Sequence, residues 1–292
     1  MTFDMSPTCN YRSFLFVPTH KKSFWKKAYS RGSDTIILDL EDSVPVPEKV
    51  NARMQLVKAL THCKKHNKPT IVRINQSIRD AIHDLETAIT NFTDAILVPK
   101  VRDSKHIETI DEIVTELEYE RNIRAGNIKI IATLESAEGV LNSARIALSS
   151  PRMVALALGP EDLATDLGCA PTEYSLLGAC QTIILGARAA NLFAIGFPGS
   201  ISEYQDKISY RKSIEKGRAL GFSGAFCIHP DQIEIVNTVF SVTLSEIEWA
   251  KKVVSAQEDV ADHHSGAFSL DGKMIDEPII DRAKTILKSI EK

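Results

Sequence analysis

KIIATLESAEGVLNSARIALSSPRMVALALGPED, residues 129–162, is the stretch on which the fold turns. Two apolar runs, KIIATLE at 129–135 and VALALG at 154–159, bracket a segment of helical character. Unbroken apolar runs of this length, without polar alternation, mark parallel strands buried on both faces. Carboxylates stand at or just past the end of each run: Glu135 closes the first, and Glu161 and Asp162 follow the second.

Working outward, the same unit recurs. SFLFVP (13–18), TIILDL (35–40), TIVRIN (70–75) and AILVPK (95–100) precede it, and FAIGFP (193–198) and GAFCIHP (224–230) follow, making eight. Residues 47–66 carry Val50, Met54, Val57 and Leu60 at helical spacing, and 107–117 repeat that pattern. Eight strands alternating with helices imply closure into a (β/α)8 TIM barrel, an α/β fold. A doubly wound open sheet would more often carry a Gly-rich phosphate loop after its first strand, and LFVPTH (15–20) has no GxGxxG. Beyond the eighth unit, 244–263 reads as an extra helix with Ile247, Ala250, Val253 and Val254 on one side. A turn-rich stretch (266–278) and a last helix to Lys292 follow. The expected division is a barrel domain over 1–240 and a helical and turn extension over 241–292 that caps an active site or reaches a neighbouring subunit.

Composition narrows the function classes. A length of 292 residues with 43% hydrophobic and 25% charged residues is ordinary for a globular chain. The net charge of −3 argues against a nucleic-acid backbone as main partner. No apolar run approaches the roughly 20 residues that span a bilayer. The N-terminus lacks the apolar stretch of a secretory signal. The five cysteines, Cys9, Cys63, Cys169, Cys180 and Cys227, have no CxxC spacing and suit a reducing compartment. A cytoplasmic protein is expected.

Polar residues collect at strand C-termini, which in a barrel converge on one mouth. They are Asp39, Glu41 and Asp42 (DLED), Arg73 (VRIN), Lys100 (VPK), Glu135 (TLES), Glu161 and Asp162 (GPED), and His229 (IHP). Glu135 and Asp162, on adjacent strands, offer hard oxygens that suit Mg2+, which keeps part of its hydration shell. Read singly, either could instead salt-bridge Arg73 or Lys100. Arg73 presents a donor fork for a carboxylate or enolate, or an internal partner for Asp39 or Glu41. His229 alone reads as structural. Ser136 has no evident His–Asp relay, which disfavours a serine hydrolase. Lys100 among carboxylates is expected to stay an ammonium ion rather than form a Schiff base.

In this order the segments resemble the citrate lyase β-subunit-like and malyl-CoA lyase family. The pieces are RSFLFVP (12–18), LDLEDSV (38–44), VRIN (72–75), LVPKV (97–101), LESAEGVLN (134–142), SPRMVALALGPEDLATDLG (150–168), RALGFSGAFCIHPDQIEIVN (218–237) and GAFSLDGKMIDEP (266–278). The resemblance implies Mg2+ on Glu135 and Asp162, Arg73 on the oxo-acid part of the substrate, and Glu161 as a further substrate-binding residue. It implies Phe16, Lys21, Lys27, Ile228 and His229 as contacts for coenzyme A or another thioester carrier, while Lys22 and Lys26 read as solvated surface. Asp276 (MIDEP) matches an acid/base aspartate supplied by a neighbouring subunit, which implies a homo-oligomer, a trimer or a multiple such as a hexamer.

The implied activity is a carbon–carbon lyase on a 3-hydroxyacyl thioester (malyl-, methylmalyl-, citramalyl- or citryl-), giving an acyl thioester and a 2-oxo acid. A metal-dependent pyruvate aldolase acting on free aldehydes, and the β subunit of a lyase complex served by an acyl-carrier protein, are the alternatives. Two departures stand out. Thr19 and His20 replace the usual Gly and small or polar residue after LFVP, and GFPGSI (196–201) replaces an acidic, aromatic run.

Overall fold

The computed structural model describes residues 11–260 and 267–290, which fall into two compact units divided between Phe240 and Ser241. The first unit is built on eight strands. These are β1 (Ser13–Pro18), β2 (Thr35–Asp39), β3 (Thr70–Arg73), β4 (Ala95–Val98), β5 (Lys129–Leu134), β6 (Met153–Leu158), β7 (Phe193–Ile195) and β8 (Ala225–Cys227). Every neighbouring pair is parallel, in the order β7-β6-β5-β4-β3-β2-β1-β8. The ring closes between β7 and β8, where Gly196 N donates to Gly224 O at 2.9 Å and Ser223 N to Ala194 O at 2.8 Å. Each apolar run of the sequence is a strand, and the fold is the TIM barrel. Several strands end early: β4 stops before Pro99, and β8 stops before Pro230 opens a helix. Proline has no N–H to give a ladder, so the chain leaves the sheet there.

The helix expected over 47–66 spans Lys49–Lys65, after a 3-10 turn at Val46–Glu48. Its buried face is Ala52, Leu56, Ala59, Leu60 and Cys63. Of the four apolar residues read as its stripe only Leu60 is buried; Val50, Met54 and Val57 are 63%, 67% and 43% exposed. Small residues at 52, 59 and 63 let the helix approach the barrel closely, and a count of large apolar residues overlooks that face. Helix Ser104–Glu120 keeps the expected pattern, burying Ile107, Ile110, Val114 and Leu117.

Charge is handled differently at the two ends of the barrel. At the N-terminal end, Arg152 donates to Asp111 at 2.5 Å and to Glu118 at 2.7 Å, while Glu118 also accepts from Gly126 N and Ile128 N. That network is closed on itself and ties β5 to β6. The C-terminal end is the open one.

The second unit packs helices Leu244–Val260 and Glu277–Ile290 with a hairpin of Phe268–Leu270 and Lys273–Ile275. Ala250, Val253, Ile275, Ile280 and Ala283 form its core. Asp271 and Gly272 both take positive φ (51° and 76°), as a two-residue hairpin turn demands. Residues 261–266 and 291–292, which the sequence reading assigned to helix ends and the start of the turn-rich stretch, lie outside the described residues. Among those described, no helix is long and apolar enough to cross a membrane.

Candidate active site

Asp39, the last residue of β2, is fully buried and accepts Nε and Nη2 of Arg73, the last residue of β3, at 2.6 and 2.7 Å. Ser43 Oγ and the Glu41 and Ser43 N–H groups donate to the same carboxylate. Burial alone would raise Asp39, but the charge and hydrogen bonds of Arg73 outweigh it and hold the carboxyl below 3.8. Burial likewise disfavours the Arg73 charge, and Asp39 reverses this, keeping the guanidinium above its ordinary value. Nη1 of Arg73 lies 3.0 Å from Glu41 and 3.6 Å from Asp42, and the guanidinium stacks over the Phe16 ring at 4.6 Å. Arg73 is thus pinned on one face and two edges.

Burial pushes Glu41 up to about 7 despite Arg73, with Asp42 adding to the rise. The loop carrying Glu41 is anchored by Lys49, whose Nζ donates to Leu40 O at 2.8 Å and Glu41 O at 2.6 Å. Lys100 Nζ lies 3.6 Å from Glu41, 3.8 Å from Asp42 and 3.6 Å from Asp162. Burial lowers its affinity for a proton, but these carboxylates more than restore it, so it remains an ammonium ion. The Lys100 backbone is left-handed (φ 52°), a strained state for a non-glycine residue, and it turns the backbone N–H to within 3.4 Å of Glu135 Oε1.

Glu135 follows β5 and is 7% exposed; Asp162, in the first turn of helix Pro160–Asp166 after β6, has a side chain 47% exposed. The two carboxyls meet. Burial first, then the hydrogen bond and charge of Asp162, push Glu135 up to about 8. A Cβ on Gly159 would stand 2.4 Å from Glu135 Cγ, so only glycine leaves room for this carboxyl. Asp166 accepts from Ala137 N at 2.7 Å and fastens the loop after Glu135.

Two carboxyls in contact, one of them buried and short of counter-charge, fit a hard divalent cation: all donors are oxygen, and a cation would replace the shared proton. Among the described residues no group of three or more His, Cys, Asp and Glu side chains converges on one point. Glu135 and Asp162 are the pair that would hold such a cation.

Two cavities meet at this mouth. The smaller, about 200 Å³, is bounded by Asp39, Arg73, Thr133, Glu135, Glu161 and Asp162, with Phe16, Leu158 and Phe226 on its apolar side. The larger, about 550 Å³, is bounded by Phe24, Lys27, Arg31, His229 and Pro230. Phe16, Pro18 and Ile228 belong to both.

Of the residues singled out in the sequence, Asp39, Glu41, Asp42, Arg73, Lys100, Glu135 and Asp162 form one cluster. Glu161 borders the small cavity and accepts from Ser200 Oγ at 2.5 Å. Phe16, Lys27, Ile228 and His229 border the large one. Lys21 stands apart, its Nζ over the Phe24 ring at 5.2 Å. Lys22 and Lys26 are surface, and Lys26 faces a separate depression. Thr19 is buried and its N–H joins β1 to Asp39 O. Asp276 lies in the second unit, where its carbonyl accepts from Ile279 N and Ile280 N.

Sequence reasoning missed Lys49, Gly159, Tyr204 and Gln232. Tyr204 stacks on His229 at 4.6 Å. A signal existed for two of them: Gly159 precedes Pro-Glu-Asp directly after a strand, and Gln232 stands third in the helix that Pro230 opens.

Residues 12–230 match the family described as HpcH/HpaI aldolase/citrate lyase. The chain is 34% identical over 280 residues to the citrate lyase subunit beta of Haemophilus influenzae, covering 95% of this chain and 96% of that one. It is 34% identical over 284 residues to a (3S)-malyl-CoA thioesterase of Cereibacter sphaeroides, covering 96% and 95%. A solved structure of the Mycobacterium tuberculosis protein CitE, in complex with magnesium, acetoacetate and coenzyme A, superposes with a TM-score of 0.76. Its identity is 26%, over 98% of this chain and all of that one.

Proposed function

The chain belongs to the HpcH/HpaI aldolase/citrate lyase family, and on that premise we propose that it is a Mg2+-dependent lyase that cleaves or forms a 3-hydroxyacyl thioester. One observation carries the reading: the Glu135–Asp162 carboxyl pair opens into a cavity that also holds Arg73 and adjoins a larger, partly cationic groove. Magnesium and coenzyme A bound by the CitE protein support the choice of cation and carrier.

In cleavage the bond between the thioester α-carbon and the carbinol carbon breaks. The hydroxyl oxygen loses its proton and becomes the oxo group of a 2-oxo acid, and the electron pair stays on the α-carbon, which takes up a proton. Mg2+ held by Glu135 and Asp162 would supply Lewis-acid charge at the oxygen that changes between hydroxyl and oxo. Arg73, fixed by Asp39 and Phe16, presents positive charge to the oxo-acid end. Asp39, Glu41 and Asp42 keep Arg73 and Lys100 in place. Phe16 and Ile228 form the wall between acid and carrier, Lys27 and His229 face the carrier's polar groups, and Lys21, outside the cavity lining, reaches the carrier only past Phe24. Asp276, contributed by a neighbouring copy in a homo-oligomer of three or a multiple of three, exchanges the proton at the α-carbon. In this reading residues 241–292 cap the neighbour's site.

The test is a panel of hydroxyacyl-CoA esters assayed with Mg2+ for release of glyoxylate, pyruvate or oxaloacetate. Release of one of them with its acyl-CoA supports the lyase. A second reading, thioester hydrolysis, is favoured by the malyl-CoA thioesterase relative. It would give free thiol and intact hydroxy acid from the same panel. Silence toward every CoA ester, with turnover on an acyl-carrier-protein thioester, would assign the chain to a carrier-dependent citrate lyase complex such as the H. influenzae relative's name describes.

A further inference from the structure

Ile228 and His229 sit between the last strand and the helix Pro230–Phe240, and both border the large cavity; Ile228 also borders the small one. A wall that divides two cavities must keep its place, yet these two residues lie outside the sheet, and their backbone N–H groups have no ladder partner. Gln232 supplies one. Its side chain is 1% exposed, and Oε1 accepts from Ile228 N at 2.7 Å and His229 N at 3.0 Å. The other end, Nε2, donates to Ile201 O at 2.9 Å, in the loop that follows β7. Ile201 itself faces the small cavity.

The geometry is one half of a capping box. His229 precedes the helix, Pro230 opens it, and Gln232 at the third position reaches back to the N–H of the capping residue. His229 Nδ1 accepts from Asp231 N at 3.2 Å, and Gln232 N donates to the His229 carbonyl at 3.1 Å. Here the glutamine does more than begin a helix, because the free end of the carboxamide crosses to a second loop. The Tyr204–His229 stack joins the same two segments a few residues away. A buried carboxamide with three partners has one orientation, so both loops are held in a single register.

We propose that Gln232 is a positioning residue. It fixes the shared wall, Ile228 with His229 and Ile201, so that a thioester lying in the large groove extends its acid end into the small cavity beside the carboxylate pair. This rests on the thioester reading above, though Gln232 itself borders neither cavity. A glutamine in this place serves where glutamate does not: a carboxylate can accept both N–H groups but has no donor for the Ile201 carbonyl.

The experiment compares the full chain with Gln232→Leu and Gln232→Glu by amide exchange and by steady-state kinetics on the thioester that the wild type turns over best. Exchange at Ile228 and His229 should rise about tenfold or more in Gln232→Leu, the loss of one buried hydrogen bond each. It should stay close to wild type in Gln232→Glu. Both variants should raise the thioester KM by about tenfold and change kcat by less than about threefold, because the catalytic charges are untouched. Unchanged KM in both variants, or a loss confined to kcat, would overturn the proposal. Unchanged exchange at 228–229 in Gln232→Leu would overturn it as well. A wild type inactive on every thioester would refute the proposed function instead, while the exchange data would still judge the clamp.

Discussion

Glu135 and Asp162 hold two like-charged groups in contact, an arrangement that costs energy unless a proton or cation joins them. Gly159 enables it. Its φ of −101° is open to any residue, so the only barrier to alanine there is the collision with Glu135. Gly159→Ala should therefore fold, at a cost of about 1–3 kcal/mol, and displace the carboxylate. Mg2+ affinity measured by calorimetry should fall at least tenfold; an unchanged affinity would show that Glu135 is not a ligand. Arg73 and Asp39 give a second test. The Asp39 carboxyl is depressed in the folded chain, so its contribution to stability is present above 3.8 and fades as pH falls through the lower folded value. The melting-temperature gap between wild type and Asp39→Asn should be wide near neutrality and close below that point; a gap independent of pH would refute the pairing. The charged residues of this cluster were legible in the sequence, because charges at successive strand ends have few structural explanations. Lys49 was not: a lysine bound to two carbonyls leaves no distinctive pattern, and Gly159 showed only as a glycine between a strand and Pro-Glu-Asp, with no sign of the carboxyl it makes room for.

Among the elements, the eight strands could be located and their starts read to within a residue, since burial on both faces leaves an unbroken apolar run, but β3, β4, β7 and β8 end two or three residues before those runs do. Helix Lys49–Lys65 was harder. Two stripes compete on it, and the smaller residues won the core while Val50, Met54 and Val57 stayed outside. Leu56→Ala or Leu60→Ala should cost about 2–5 kcal/mol in denaturant unfolding. Val50→Ser or Met54→Ser in the monomeric state should cost about 0.5 kcal/mol or less. A reversed order would mean that the helix is rotated about its axis. Lys100 shows a further limit: a left-handed lysine between proline and valine is set by its surroundings, and local propensity gives no hint of it.

At the level of the whole molecule, polar groups with closed networks lie at one end of the barrel and groups with spare capacity at the other. Strand order placed the charges of the open end; the Arg152, Asp111 and Glu118 network at the other end was not read from the sequence. The second unit was visible as surplus chain with its own apolar spacing, and the Asp-Gly hairpin fits the turn-rich text. Its relation to catalysis is the proposal that rests on Asp276. Asp276→Asn should abolish turnover and leave the melting temperature and Mg2+ affinity in place. Mixed with Glu135→Gln subunits and allowed to exchange, it should regain activity, because some sites would then join intact residues from two chains. No recovery on mixing would place Asp276 in the same subunit as its site or outside the mechanism.

The claim beneath all of this is that one divalent cation sits between Glu135 and Asp162. Crystals of the full chain soaked in Mn2+ and measured at its absorption edge test it directly. The account predicts an anomalous peak bridging a carboxylate oxygen of Glu135 and one of Asp162, lost in Glu135→Gln. A peak bound elsewhere, or one that survives that substitution unchanged, would contradict it.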